Sequence, residues 1–394
     1  MQIKSIENSK ILYFLLFLSC LNIYEKGSFL FLVLILFVFV FFRLKISVDR
    51  VNSVLCFLLV SVSVIVSFYF YDLNAVIKCL NYGGAYIIAI TIFNHAKNKE
   101  VAIKRLMFSI FSGFATQIML VYLFNLYKGQ PSTRTLYAIW NDGLISVTLI
   151  ALLSSVIIGY SFYAIACNKN KALKVYSIVA LVIVFFMNIM TATRTPFILL
   201  ILVWFLLFVF YTRNSNISTK KKFWMCVLCV IVFAVLCYVN DWFGIKTFLL
   251  KSALFERMGE EGIKTTRIDI AQEFIARMWQ YPFGGSFARR EIGKYAHNIL
   301  LELYDLYGIV PFVVTFVFYI QGIKNIFYMA KKGIYRSINF LLIGLYLSTM
   351  IQMFLEPVIE GFPILFYVFL FIHGISNCYI NFSKGNRYYE NSRN

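Results

Sequence analysis

The chain has 394 residues, 61% of them hydrophobic and 14% charged, with a mean hydropathy of +0.78 and a formal net charge of +19. Soluble domains run at roughly 45–50% apolar and about 25% charged, so this composition excludes a soluble enzyme, a disordered chain and a disulfide scaffold. In a soluble protein the charge would point to nucleic acid. Here it marks the cytoplasmic loops of a polytopic membrane protein, and no nucleic-acid partner is expected.

Twelve apolar spans are predicted, near 11–24, 28–42, 51–70, 75–94, 106–126, 143–166, 175–193, 196–211, 223–240, 299–328, 337–355 and 363–380. Several fall short of the ~20 residues that a straight crossing needs, so their ends are soft. The start, Lys10 followed by an apolar run from Ile11, lacks a small-x-small cleavage site and reads as the first span rather than a signal peptide. The expected fold class is therefore all-α: a helix bundle of about twelve transmembrane helices, one integral membrane domain over 1–394.

Charge orients it. With the N-terminus inside, one set of loops collects the bulk of the Lys and Arg residues, including Arg43, Lys45, Arg50, Lys97, Lys99, Lys104, Arg105 and the run of lysines at 220–222. Of the eighteen acidic residues that set contains Glu7, Asp49, Glu100 and Glu390 alone. A bias of this size places both termini in the cytoplasm. Cys226 and Cys229 form a C-x-x-C within an apolar helix and without histidine or carboxylate company, so they read as small core residues rather than a metal or redox pair.

Most loops are short. The exception is 241–298, between spans nine and ten, on the outer side and expected to be periplasmic. It carries nine basic and seven acidic residues and none of the eight cysteines. Loops of this length without a domain of their own tend to be functional. Within it Thr266 and Asp269 form a weak capping box for a helix running to about Gln280. On that wheel Ile268, Ile270, Ala271, Phe274, Ile275, Met278 and Trp279 fill one half, as in a helix on a membrane surface or over the bundle. Arg267 falls in the apolar half and needs a partner there, either an anionic substrate or a structural carboxylate such as Glu260, Glu261 or Glu273.

Three outer segments hold residues able to do chemistry. Thr191-Ala192-Thr193-Arg194-Thr195-Pro196 turns tightly between spans seven and eight, with Thr195 placed to cap and Pro196 to start the next helix. Its arginine either faces a cavity or snorkels to headgroups. Arg267 is the second. The third is His297-Asn298 followed by Glu302 and Asp305, with Asn298, Glu302 and Asp305 on one helical face at the entrance to span ten. Arg289 and Arg290 lie just upstream as supporting cations. Histidine titrates near neutrality and suits a general base; guanidiniums bind phosphates bidentately. The three segments fit a pocket for a lipid-linked phosphate or pyrophosphate, but a helix cap, a salt bridge and interfacial polar residues account for the same residues structurally. No metal-ligating cluster is legible, and no cofactor is expected.

At these residues the chain resembles the O-antigen polymerase/ligase superfamily of bacterial surface-polysaccharide enzymes. The resemblance covers about 191–310 and rests on the hydroxyl-x-hydroxyl-Arg turn at 191–196, Arg267 leading an amphipathic segment, Pro282-Phe283-Gly284, and Ala296-His297-Asn298-x-Leu300-Leu301-Glu302 with Gly308-Ile309 after it. It departs at Ser286 and Pro311, where a further glycine and a small residue are expected. The resemblance implies a GT-C-like inverting glycosyltransferase of the bacterial inner membrane, independent of metal, acting on undecaprenyl-pyrophosphate-linked glycans at the periplasmic face. Arg194 and Arg267 would hold the donor pyrophosphate, His297 would deprotonate the acceptor hydroxyl, and Glu302 would orient that site. The His-Asn-x-Leu-Leu-Glu form leans toward a polymerase, with membrane lipid and a chain-length regulator protein as further candidate partners. A ligase that transfers polymer to lipid A core is the alternative, and a flippase or other transporter is a third class, disfavoured by the lack of repeat symmetry.

Overall fold

The computed structural model describes residues 9–42, 50–130, 134–141, 143–213, 267–332 and 336–391. The chain is a helical membrane bundle. Among the described residues nine helices are long and apolar enough to cross a bilayer. In chain order they are α3 (Arg50–Phe70), α4 (Leu73–His95), α5 (Lys99–Lys128), α6 (Thr148–Phe162, continued by a π turn Tyr163–Cys167), α7 (Lys171–Met190), α8 (Thr195–Arg213), α12 (Ile309–Lys332), α13 (Arg336–Leu355) and α14 (Ile364–Asn391). Two shorter apolar helices, α1 (Lys10–Leu21) and α2 (Gly27–Phe41), precede them, and α9 (Arg267–Ala276), α10 (Phe287–Ile292) and α11 (Ile299–Tyr307) lie between α8 and α12.

Two expectations are corrected. Span six was placed from 143, but 144–146 is a strand, β2 (Leu144–Ser146), paired antiparallel with β1 (Thr135–Tyr137) in register Leu136↔Ile145. Asn125 at the end of α5 fixes this hairpin, exchanging hydrogen bonds with the backbone N–H and C=O of Tyr137 at 2.9 and 3.1 Å. Apolar strand residues mimic the start of a span because hydropathy does not register backbone pairing. Span ten, placed at 299–328, is not one helix. It breaks at Gly308 (φ +92°) into α11 and α12, and α11, nine residues long, is too short to cross. Span nine, the C-x-x-C and the cap at Thr266 lie outside the described residues.

Helices apolar on every side must be buried by other helices or by lipid. Here both occur. α4, α6, α13 and α14 are enclosed by the bundle, while α3, α7 and α8 turn most of their apolar surface outward. The tightest crossing pairs α6 with α13 at Gly159 and Gly344: a Cβ on Gly159 would come within 2.5 Å of the Gly344 carbonyl. Small residues at such a crossing let two backbones meet where no hydrophobic effect drives helices together.

A second close approach shapes one end of the bundle. Ile309 N–H donates to Pro282 C=O at 2.9 Å, and Gly285 N–H to Leu306 C=O at 3.1 Å. Gly284 (φ +74°) lies so near the break that a Cβ there would meet Gly308 N at 2.6 Å. The segment Pro282-Phe283-Gly284 and the pair Gly308-Ile309 are therefore two sides of one contact, and both glycines adopt positive φ that other L residues rarely hold. The N-terminal end of α9 lies at the same end, where Ile270 and Phe274 bury against α11 and its neighbours, whereas Ile268, Ile275 and Trp279 stay exposed. Half of the predicted apolar face is thus packed on protein. The other half faces outward, an arrangement that suits the lipid–water interface.

Candidate active site

Four segments distant in sequence meet at this end. The first is the turn at 191–196. Thr191 N–H and Oγ1 both donate to Met187 C=O, Ala192 takes a positive φ of 52°, and Thr193 N–H reaches back to Asn188 C=O at 3.0 Å. This closes α7 and lets Arg194 C=O accept the first amide of α8, from Phe197 at 3.2 Å. Thr195, expected as a cap, instead donates its hydroxyl to Glu356 Oε1 at 2.8 Å.

The second segment opens α9. Arg267 Nη2 lies 2.9 Å from the same oxygen, Glu356 Oε1. Among the described residues it pairs with Glu356, after α13, and donates to the Leu355 carbonyl; Glu260 and Glu261 lie outside the described residues. Glu356 itself is buried, at 6% exposure. A buried carboxylate with a guanidinium and a hydroxyl on one oxygen is stabilised by both, and removing either partner leaves charge in a poorly solvated place.

The third is the loop before α11. His297 is half-buried, and its Nδ1 is enclosed without a hydrogen-bond partner among the described residues. Burial, reinforced by the Arg267 cation, pushes its pKa below the usual imidazole value, while Glu356 pulls the other way. The ring is therefore neutral at pH 7, with an enclosed nitrogen. Asn298 is the N-cap of α11, accepting Leu301 N–H at 2.8 Å, so its role is structural as well as adjacent.

The fourth, 356–362, was not singled out from the sequence, and Glu302 explains its shape. Glu302 is 4% exposed, and its two oxygens accept the amides of Val358 at 2.6 Å and Glu360 at 2.8 Å. Burial raises its pKa to about 7 against the pull of those amides. It stands behind the loop that carries Glu356. Asp305, one turn on, accepts Arg289 N–H at 3.0 Å, and burial raises it to about 6. Arg289 is committed to this inner layer: its guanidinium pairs with Glu360, lies 3.8 Å from Asp305, and covers the Tyr295 ring. Arg290 is exposed over Phe287.

The structure therefore joins Thr195 and Arg267 through Glu356, with Arg194 next to Thr195 in the chain and His297 close enough to feel the charges of Arg267 and Glu356, while Glu302, Asp305 and Arg289 tie together the loops around them. Glu356 had one legible signal, an acidic residue directly after an apolar span and on the same side as the arginines. Among the described residues no group of three or more His, Cys, Asp or Glu side chains converges as metal ligands do. No family model matches the chain, and no curated protein matches it in sequence.

Proposed function

We propose that the chain is a surface-polysaccharide polymerase of the O-antigen type, a GT-C-like membrane glycosyltransferase with about twelve spans. In this reading it sits in the bacterial inner membrane with both termini in the cytoplasm and the Arg267–His297 end in the periplasm. It joins undecaprenyl-pyrophosphate-linked repeat units. The observation that carries the reading is the Thr195–Glu356–Arg267 link beside a neutral, half-buried His297, which unites at one end of the bundle the three segments on which the resemblance rests.

The chemistry follows from those groups. The acceptor hydroxyl attacks the anomeric carbon of the donor sugar from the face opposite the pyrophosphate. The carbon–oxygen bond to the pyrophosphate breaks, and the lipid pyrophosphate leaves with the bonding pair. Arg194 and Arg267 neutralise that charge as it develops. The hydroxyl proton passes to His297, kept neutral by burial and by the neighbouring guanidinium. Glu302 and Asp305 act one layer back by fixing the loops that hold Glu356 and Arg289. The lipopolysaccharide banding of a deletion strain tests the reading. A single repeat on core identifies a polymerase. Naked core with lipid-linked polymer retained identifies a ligase, and loss of both leaves the flippase reading open.

A further inference from the structure

The connection between α1 and α2 is strained, and the strain turns two side chains outward. Asn22, Tyr24 and Glu25 all take positive φ, at 50°, 49° and 60°. Asparagine tolerates this as the cap that ends α1. A bulky tyrosine and a glutamate adopt it only where their surroundings hold them there. The hold is a set of hydrogen bonds: Glu25 N–H to Asn22 C=O at 3.0 Å, Lys26 N–H to Ile23 C=O at 2.9 Å, and Gly27 N–H to Asn22 Oδ1 at 2.8 Å. Tyr24 and Glu25 both end exposed, Tyr24 by 65%.

Each of the two meets a residue from the turn of the β1–β2 hairpin, 116 positions further along the chain. The Tyr24 ring lies 5.5 Å from that of Trp140 and is tilted to it by 44°. Glu25 Oε1 accepts Asn141 Nδ2 at 3.0 Å. The indole N–H of Trp140 has no acceptor among the described residues. This surface lies at the candidate site's end of the bundle. Gly27 sits so close to Ile364, at the start of α14, that a Cβ there would overlap its side chain. The ring of Phe114 from α5 lies 5.7 Å from that of Phe362. Both contacts fall on or beside the segment 356–362 that carries Glu356.

We propose that Tyr24, Glu25, Trp140 and Asn141 form a saccharide-binding surface that holds a neutral stretch of glycan beside the candidate active site. Two aromatic rings next to a carboxylate and an amide suit a pyranose. The rings receive its C–H face, while vicinal hydroxyls donate to Glu25 and exchange hydrogen bonds with Asn141. The Glu25 charge disfavours an anionic ligand. A protein partner needs about 800 Å² on its side, far more than four side chains offer. Aromatic residues also gather at membrane interfaces. Here exposed Lys26, Asn141 and Ser146 surround the pair and make its setting aqueous. The inference deepens the polysaccharide reading and rests on it for the identity of the glycan, but not on the roles given to Arg194, Arg267 or His297.

The test uses the purified full-length protein in detergent and the host's own surface polysaccharide, cut from its lipid by mild acid. Saturation-transfer NMR should show contact with the pyranose C–H protons, and titration gives Kd. Tyr24→Ala should raise Kd by about two- to tenfold, the worth of one stacked ring. Tyr24→Phe keeps the ring and should bind as wild type does. Trp140→Ala should weaken binding as well. If it loosens the hairpin, the Tyr24 variants still decide, because that side chain is mostly in solvent. No transfer from the wild-type protein, or an unchanged Kd in Tyr24→Ala, overturns the proposal. The banding of the deletion strain separates the two readings. Glycan binding with normal banding keeps the surface and drops the polymerase. Absent binding with a single repeat on core drops the surface and keeps the polymerase.

Discussion

Thr195 at the start of α8 and Glu356 after α13 lie 161 positions apart, yet the threonine hydroxyl donates to the carboxylate at 2.8 Å. The same oxygen receives Arg267, so a single carboxylate joins the arginine turn to the surface helix. Glu356→Gln keeps the shape but removes the charge opposite Arg267. Activity should fall by at least about tenfold, since breaking a largely buried pair costs several kcal/mol in the worst case and misplaces the guanidinium in the mildest. Thr195→Val, which loses one neutral donor, should cost less. Chain extension with lipid-linked repeat units measures both, and a Thr195→Val defect larger than that of Glu356→Gln would contradict the ranking.

Arg194→Ala and Arg267→Ala should each abolish chain extension without loss of protein from the membrane. Lys at either position should recover little, because an ammonium cannot make the planar bidentate contact. If Arg267→Lys is fully active, a plain ion pair with Glu356 suffices and the pyrophosphate role falls.

General-base catalysis is worth roughly 10²–10⁴-fold, so His297→Gln should slow the reaction by about that much while donor binding survives. Because burial and Arg267 lower the imidazole pKa, the wild-type rate should hold as pH falls to 6.5 and decline only below it. A midpoint above 6.5, or normal extension by His297→Gln, would place the base elsewhere, with Glu302 the next candidate.

Glu302 makes a stability prediction of definite sign. Its pKa rises from 4.5 in the unfolded chain to about 7 in the folded one. Below 4.5 both states are protonated. Between 4.5 and 7 only the unfolded state ionises, so stability falls with rising pH and then levels off. The loss is on the order of 3 kcal/mol. Asp305, raised to about 6, adds a loss of the same sign beginning lower. Thermal unfolding in detergent should therefore show wild type losing stability from pH 5 to 7.5 and Glu302→Gln losing visibly less. Parallel pH profiles would remove Glu302 as the cause.

Topology is testable at exposed positions. Ser286 is 2% exposed and hydrogen-bonded to Tyr71, so it is a poor reporter. Cysteines at Lys294 and Lys171 of a cysteine-free variant should differ in reaction with an impermeant thiol reagent, Lys294→Cys labelling from outside. Equal labelling would reverse the orientation argument.

Composition and charge were enough to predict the helical bundle, because a run of apolar side chains has few other fates. They failed at two places for the same reason. Neither the strand at 144–146 nor the break at Gly308 changes hydropathy; both are backbone events. Arg267 shows on the wheel that it needs a partner, but a wheel contains only local neighbours and cannot reach Glu356, which lies far along the chain. Glu302 and Asp305 are legible in the sequence as sharing one helical face. What they face, the amides of 358–360 and of Arg289, depends on tertiary placement alone.

The interruption at Gly308 also sets a depth. α12, at about 1.5 Å per residue, is about 36 Å long and spans the hydrocarbon unaided, whereas α11 adds only about 14 Å beyond the break. Had the two run on as one rod, His297 would be carried well clear of the bilayer. The bend instead packs α11 against α9, with Ile270 and Phe274 buried on Leu301 and Tyr304, so the loop that carries His297 stays beside the helix that Arg267 opens. An inserted residue that straightened the bend would therefore part His297 from Arg267.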